Sequence, residues 1–520
     1  MKNKIKNLAL ITFSGEGCSI AKRFKDNTEG EVIVGIIEDQ ADIYTPDEIK
    51  KMKEEGKDPS DEGEKGETKK LRMSNYSGVI DVYSADSVVD YLKKRDDKDS
   101  WFVFCDMNTC FKYAEKLSAF MPHGNFPTLE HRILESDREK AKEFIAQNYP
   151  DVAKEKVWEC KTVDEGIKLV QDSDDMLVLK GNNPEAPTIV PPGEDIETCK
   201  ELLINALEEN KDLYNAGGMI FEVKLEDAIE LTPERIYYDG EEVFTSLDIE
   251  TKRKYAGDVG SELVGCGTDM VLLTEMDDKI NTIAFPPIVD EMAKKAKGMF
   301  VWDLSVLISK ASGKIYPGEF CANRVGYDDF TSQMEGVNPV DYFNDIVNFR
   351  NPIRNKKMSC SVRIFNDESE KEGIKMMIPE DIAEHCWPMD AKMVKGEWVT
   401  AGYDPSACVI TGHGNDFLSA VEATYASVDK FALATKRWGY RCKGDFLDDS
   451  YGTSLAVRYN YAVEKGFITG YDLYAGDGDT DGKIKNMRDG YEKKMKDLSD
   501  KHAGDLRSLR DEIKEILKDA

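Results

Sequence analysis

Between Val301 and Arg324 the sequence reads VWDLSVLISKASGKIYPGEFCANR, and its polar residues fall at a spacing that can hold a metal ion. VWDLSVLI alternates, SKASGK supplies a glycine-bearing turn and IYPGEF follows, which is the pattern of a β-hairpin. Residues of equal parity share one face of a strand. Asp303, Glu319 and Asn323 are all odd-numbered, so a turn loop with an odd number of residues sets two carboxylates and an amide oxygen on one face. Such hard oxygen donors suit Mg²⁺ (or Mn²⁺), an ion usually shared with substrate phosphates. Arg324 has the forked donors that hold a phosphate or an acyl phosphate. On a merely solvated sheet face the same acids would have no chemical role.

Upstream, the apolar run Met176 to Lys180 ends in a lysine that could reach nucleotide phosphates. Gly218 to Val223 carries Glu222, which could fix an adenosine. Each alone also fits a side chain snorkelling from a strand end, and it is their order before a metal hairpin that carries weight.

The elements that must position these groups begin with strand Leu8 to Phe13, a glycine turn at Ser14 to Gly17, helix Ser19 to Phe24 and strand Glu31 to Ile37, a βαβ unit with a parallel sheet. The charged stretch from Lys50 to Lys70 has nothing to bury and reads as a surface insertion. Strand Trp101 to Cys105 and helix Phe111 to Phe120 follow. Further strands are expected at Lys156 to Cys160, Met176 to Lys180, Gly218 to Val223 and Arg235 to Tyr238, with helix Ile196 to Glu209 among them. The basic, turn-rich RNPIRNKK near residue 350 marks a boundary. Beyond it come strands near Ser359 to Phe365 and Cys408 to Thr411 and helix Asp416 to Tyr425. The expected units are 1–125, 126–350, 351–470 and 471–520.

A chain of 520 residues is long enough for several cores, and 33% charged residues describe a well-solvated globular protein. A formal charge of −30 argues against general nucleic-acid binding, which needs clustered Lys and Arg. The apolar runs are too short to span a bilayer, so no membrane segment is expected. The eleven cysteines show no CxxC pair, which suggests reduced thiols and a cytoplasmic address.

Longer blocks add a resemblance. FPTLEHRILESDREKAKEFIAQNYPDV, KRKYAGDVGSELVGCGTDM and VITGHGNDFLSAVEATYASVDKF, with Tyr440, Arg441 and Asp445 after the last, are similar in order and kind to the ATP-grasp superfamily, specifically the phosphoribosylamine-glycine ligase family. The resemblance implies α/β and α+β units in sequence: an N-terminal Rossmann-like pre-ATP-grasp domain, an ATP-grasp domain, a small C-terminal α+β domain and a terminal helix. It further implies an ATP-dependent carboxylate–amine ligase of purine biosynthesis, acting through an acyl phosphate on a small amino acid and an amine. Matched positions give Lys180 as a phosphate- or adenine-side lysine, Glu222 at the hinge that holds adenine, Glu226 and Asp227 as sugar contacts, and Glu319 and Asn323 as Mg²⁺ ligands, with Asp303 added by the hairpin; Arg324 and Lys254 are the candidate catalytic cations.

The departures are specific. After Lys180 the family's glycine-rich loop is replaced by GNNPEAPTIVPPGED, and the Glu-to-Asn spacing in the hairpin is longer by two. The family's glycine turn that binds phosphoribosylamine is replaced by FSGEGCS, and its Gly-Pro-Glu turn by Cys105-Asp106-Met107-Asn108. These leave two alternatives, a ligase acting on another amine such as a modified nucleotide, or a nucleotide-binding scaffold without turnover that oligomerises.

Three features remain. Asp477, Asp479 and Asp481 match the start of a calcium loop, but Arg488 stands where a bidentate glutamate belongs, so Ca²⁺ competes with a polar linker. The last helix has apolar positions near a 3-4 spacing and either forms a homo-oligomer or packs back on its own chain. His413, between Gly412 and Gly414, is a catalytic base or an incidental turn residue.

Overall fold

The computed structural model describes residues 4–54, 59, 66–152, 156–182, 188–191, 195–225, 228–251, 253–255, 259–262, 268–310, 312–323, 327–353, 358–366, 372–447 and 454–469. The N-terminal sheet contains β1 (Asn7–Thr12), β2 (Val32–Ile36), β3 (Asp81–Ser84) and β4 (Trp101–Cys105), all parallel in the order β3-β2-β1-β4. Both faces of β1 are buried, as its continuous apolar run requires of a parallel strand. Leu8 and Leu10 join the main core with Phe24 of α1 (Cys18–Asp26). Ala9 and Ile11 face a second core with Leu92 and Leu117. The strand order reverses between β1 and β4, where ligands of such sheets bind.

Two adjacent helices, α2 (Leu129–Ser136) and α3 (Arg138–Asn148), lead out of this unit. A small antiparallel sheet follows, with β5 (Val157–Cys160), β6 (Leu177–Gly181) and β7 (Met219–Val223) in the order β5-β7-β6. Leu177, Leu179 and Phe221 from its apolar face pack on Leu203 and Leu207 of α4 (Ile196–Glu209).

Among the described residues the third sheet has nine strands. Its hairpin is β8 (Ala228–Tyr238) and β9 (Glu241–Thr251), which pair antiparallel. A short ribbon, β10 (Arg253–Tyr255) with β11 (Val259–Glu262), leads to β12 (Thr268–Leu273). The second hairpin is β13 (Met299–Ser309) with β14 (Ile315–Phe320), and it pairs with β8. On the other side β12 pairs with β15 (Met358–Asn366), which pairs with β16 (Ser406–Gly414). Strands from before and after residue 350 therefore share one sheet. Helix α5 (Tyr327–Met334) packs against β12, β15 and β16, and α6 (Phe417–Val428) packs against β15 and β16. The ten described cysteines are free thiols. No helix among the described residues is long and apolar enough to cross a membrane.

Candidate active site

The first part of the site lies on the small sheet. Lys180 and Glu222 are the penultimate residues of β6 and β7; Val178 pairs with Glu222 and Lys180 with Ile220, so the two charged residues are diagonal neighbours on one face. Lys180 Nζ is 2.6 Å from Glu222 Oε2. Lys142 of α3 donates to the other oxygen, Oε1. The Glu222 side chain is only 7% exposed while the lysines keep 28% and 29% in water. Burial pushes the Glu222 carboxyl up, but Lys180 and Lys142 reverse that and hold it below the usual carboxylate range. Two cations are thus held side by side on one carboxylate, at the mouth of a strand pair.

Helix α3 also ties this triad to the hairpin, since its Phe144 ring packs 5.9 Å from Trp302 and 5.7 Å from Phe320. In the hairpin Ile308 pairs with Ile315, so the turn has even length and by itself puts odd residues of β13 opposite even residues of β14. A bulge restores equal parity: between Val306↔Pro317 and Leu304↔Phe320, β13 advances two residues and β14 three. Gly318 makes the bulge possible, because a Cβ there would lie 2.0 Å from Ser305 Oγ. Glu319 N–H donates to that same Oγ at 2.8 Å. Asp303 is buried and Glu319 exposed on a shared face.

Asn323 lies three residues after the end of β14. It is fully buried with φ +50°, its N–H donates to the Val301 carbonyl at 2.6 Å, and its Oδ1 accepts the Val301 N–H at 3.3 Å. It closes the end of the hairpin, and its amide oxygen is engaged with backbone. Among the described residues no group of three or more His, Cys, Asp or Glu side chains is gathered tightly enough to hold a metal ion.

The second part of the site extends from Asp303 across the large sheet. Asp303 pairs with Glu234 on β8, Glu234 with Ser246 on β9, and Thr232 with Asp248. By the period-2 alternation Asp303, Glu234, Asp248 and Glu250 lie on one face with Ser359, Ser361 and Arg363 of β15. These side chains are buried, and Gln333 of α5 donates from Nε2 to Glu234 Oε1 at 2.6 Å. A sheet face of carboxylates covered by a helix with Thr331, Ser332 and Gln333 is built to manage charge, since buried carboxylates require paired cations or hydrogen bonds.

No protein-family model and no curated protein matches the sequence. Solved structures match the fold. Phosphoribosylamine-glycine ligase from Thermotoga maritima aligns over 84% of this chain and 99% of its own, with a TM-score of 0.55 at 14% identity. The biotin carboxylase domain of Hydrogenobacter thermophilus 2-oxoglutarate carboxylase, solved with MgADP, ADP and bicarbonate, aligns over 90% and 100% with a TM-score of 0.53 at 12% identity. Biotin carboxylase from Campylobacter jejuni, solved with an ATP complex, aligns over 85% and 94% with a TM-score of 0.51 at 14% identity. The chain shares its fold with these ligase and biotin carboxylase structures.

Within this fold the sequence-derived candidates separate. Lys180 and Glu222 are in contact, and Asp303 and Glu319 share the hairpin face. Lys254, on β10, has its Nζ 5.1 Å from the centre of the Phe365 ring. Arg324, Glu226 and Asp227 lie outside the described residues, as do Asp477, Asp479, Asp481, the terminal helix and most of the loop after Lys180. His413 is neither isolated nor free, with Nδ1 3.3 Å from Glu335 Oε1; its flanking glycines admit α6, since a Cβ at Gly412 would meet the Thr424 nitrogen at 2.4 Å. Sequence reasoning missed Lys142, Glu234, Asp248, Glu250 and Arg363. The alternation in IELTPE and TSLDIET is the signal that would have found the three acids.

Proposed function

We propose that the protein is an ATP-dependent ligase that joins a carboxylate to an amine through an acyl phosphate, releasing ADP and phosphate. The observation that carries this reading is the Lys142–Glu222–Lys180 triad on the small sheet, tied through α3 to the acid-bearing hairpin of the large one. Lys180 and Lys142 orient nucleotide phosphates, with Glu222 fixing both ammonium groups and offering an acceptor to the adenosine. The oxygen donors Asp303 and Glu319 fit Mg²⁺ or Mn²⁺ and would hold it; the ion would neutralise charge on the phosphate oxygens. Arg363, on the same buried face, and Arg324 steady the anionic carboxylate and its acyl phosphate. Catalysis is then mainly positioning and charge neutralisation, as in other phosphoryl transfers.

Glycine and phosphoribosylamine are the substrates the family resemblance supplies. The FSGEGCS turn and Asp106 favour a different amine. The experiment is ADP release from Mg-ATP with a panel of amino acids paired with phosphorylated and unphosphorylated amines. Release that depends on both partners supports a ligase, and release with neither partner, or none with any pair, contradicts it.

A further inference from the structure

The crevice outside the carboxyl ends of β1 and β4 is where a parallel sheet of this order takes its ligand. A glycine turn leading into a helix there normally offers backbone N–H groups to an anion. In this chain the turn from Ser14 to Gly17 is packed with its own side chains. Asn75 lies against Gly15, whose φ is +91°, and donates from Nδ2 to the Ser14 carbonyl at 3.1 Å. Its Oδ1 accepts the Ala391 N–H at 3.1 Å, so the turn is also clamped to the C-terminal part of the chain.

On the other side Asp106, at the end of β4 and 2% exposed, accepts the N–H of Gly17 at 2.9 Å, immediately before α1. A Cβ at Gly17 would stand 3.1 Å from Asp106 Cβ and 3.2 Å from its Oδ2, so glycine is what lets the carboxylate come this close. Burial and the neighbouring Glu16 raise Asp106 to about 7, opposed by its contacts with Thr12 and Gly17. The buried Arg72 donates to the carbonyls of Phe13 and Glu38 and lies over the Phe13 ring, 4.1 Å from its centre. The crevice adjoins the hairpin: Asn108, two residues after Asp106, donates from Nδ2 to the Ala322 carbonyl at 3.3 Å and to Glu135.

We propose that Asp106 is a specificity-determining residue that occupies the anion position at the head of α1, so that the acceptor amine carries no phosphate where it enters this crevice. The assignment of an acceptor amine rests on the ligase reading above; the occupation of the anion position does not. Asp106 fills the place a phosphate oxygen would take at the Gly17 N–H, and Glu16 beside it disfavours a phosphate monoester while tolerating a neutral or cationic amine.

The test titrates the full chain, without nucleotide, with ribose 5-phosphate and with inorganic phosphate, by calorimetry and thermal shift. Wild type is expected to show no saturable binding. Asp106→Ser, which empties the position, is expected to bind ribose 5-phosphate at least about tenfold more tightly than wild type, the size of one charge-assisted contact. Asp106→Asn keeps the shape and an acceptor for Gly17 N–H, so it is expected to stay filled and to gain little, and Asp106→Ala carries the comparison if the serine variant does not fold. Saturable binding by wild type overturns the proposal, as does a folded serine or alanine variant that gains no binding. Because ATP is absent, a failure here leaves the ligase reading standing, and a failure of ADP release with every amine leaves the phosphate result standing.

Discussion

Replacing Glu222 with glutamine removes the charge that holds Lys142 and Lys180 together while keeping the side-chain shape. Breaking a fully buried ion pair costs about 3–5 kcal/mol, and an exposed one about 0–1. The carboxylate here is 7% exposed, but the lysines retain 28% and 29% of their side-chain surface in water. Glu222→Gln should therefore destabilise the small sheet by roughly 1.5–3 kcal/mol. Hydrogen exchange at the amides of β7 reads this locally, without assuming that the whole chain unfolds at once. A loss of that size corresponds to exchange faster by about tenfold to a hundredfold.

The sign with pH is fixed. The folded carboxyl lies below its ordinary value, because the two lysines outweigh burial. Its contribution is fully present above the unfolded value of about 4.3 and is lost as pH falls through the folded one. The gap between wild type and variant should hold near neutrality and close in acid. A variant within about 0.5 kcal/mol of wild type at neutral pH would refute the reasoning, because that is the size of a surface substitution.

Gly318→Ala should cost about 1–3 kcal/mol of stability in a thermal melt, since its Cβ would fall 2.0 Å from Ser305 Oγ; Ser305→Gly in the same chain should recover part of the loss, and strict additivity would contradict the bulge account. Glu335 is fully buried, with Oε1 2.7 Å from His385 Nδ1 and Oε2 accepting from the Thr411 hydroxyl, so Glu335→Gln should cost about 2–4 kcal/mol in denaturant unfolding. The hydrogen bond to Glu335 raises the His385 imidazole, with burial opposing it. That contribution is complete below about pH 6.5 and fades as pH rises through the folded value, so the melting temperature should decline over that range in wild type but not in Glu335→Gln. Equal slopes would remove the His385–Glu335 link.

The elements with simple periodicity were legible in the sequence. Strand Leu8 to Phe13 is found as Asn7–Thr12, and helix Ile196 to Glu209 is found at those residues. The hairpin was legible as a hairpin, but an odd turn was the wrong device. The turn is even, and parity is restored by a bulge whose only sequence trace is Gly318. Strands β8 and β9 were largely missed because alternating acids look the same whether they face water or a covering helix; α5 makes the difference, and it arrives about a hundred residues later in the chain, Gln333 on Glu234 being 99 residues apart. Lys142 was hidden for a similar reason, since it reaches Glu222 across 80 residues. Asn323 was read by residue type, and nothing in the sequence signalled its left-handed backbone conformation or its contact with the Val301 amide.

The central claim is that Lys180 and the hairpin acids serve one Mg-nucleotide site. Calorimetric titration of the full chain with a non-hydrolysable ATP analogue, with and without Mg²⁺, measures it directly. The account predicts binding that Mg²⁺ strengthens, a loss of at least about tenfold in Lys180→Met, and loss of the Mg²⁺ dependence in Glu319→Gln. No binding by wild type, or identical Mg²⁺-dependent binding in both variants, would contradict it.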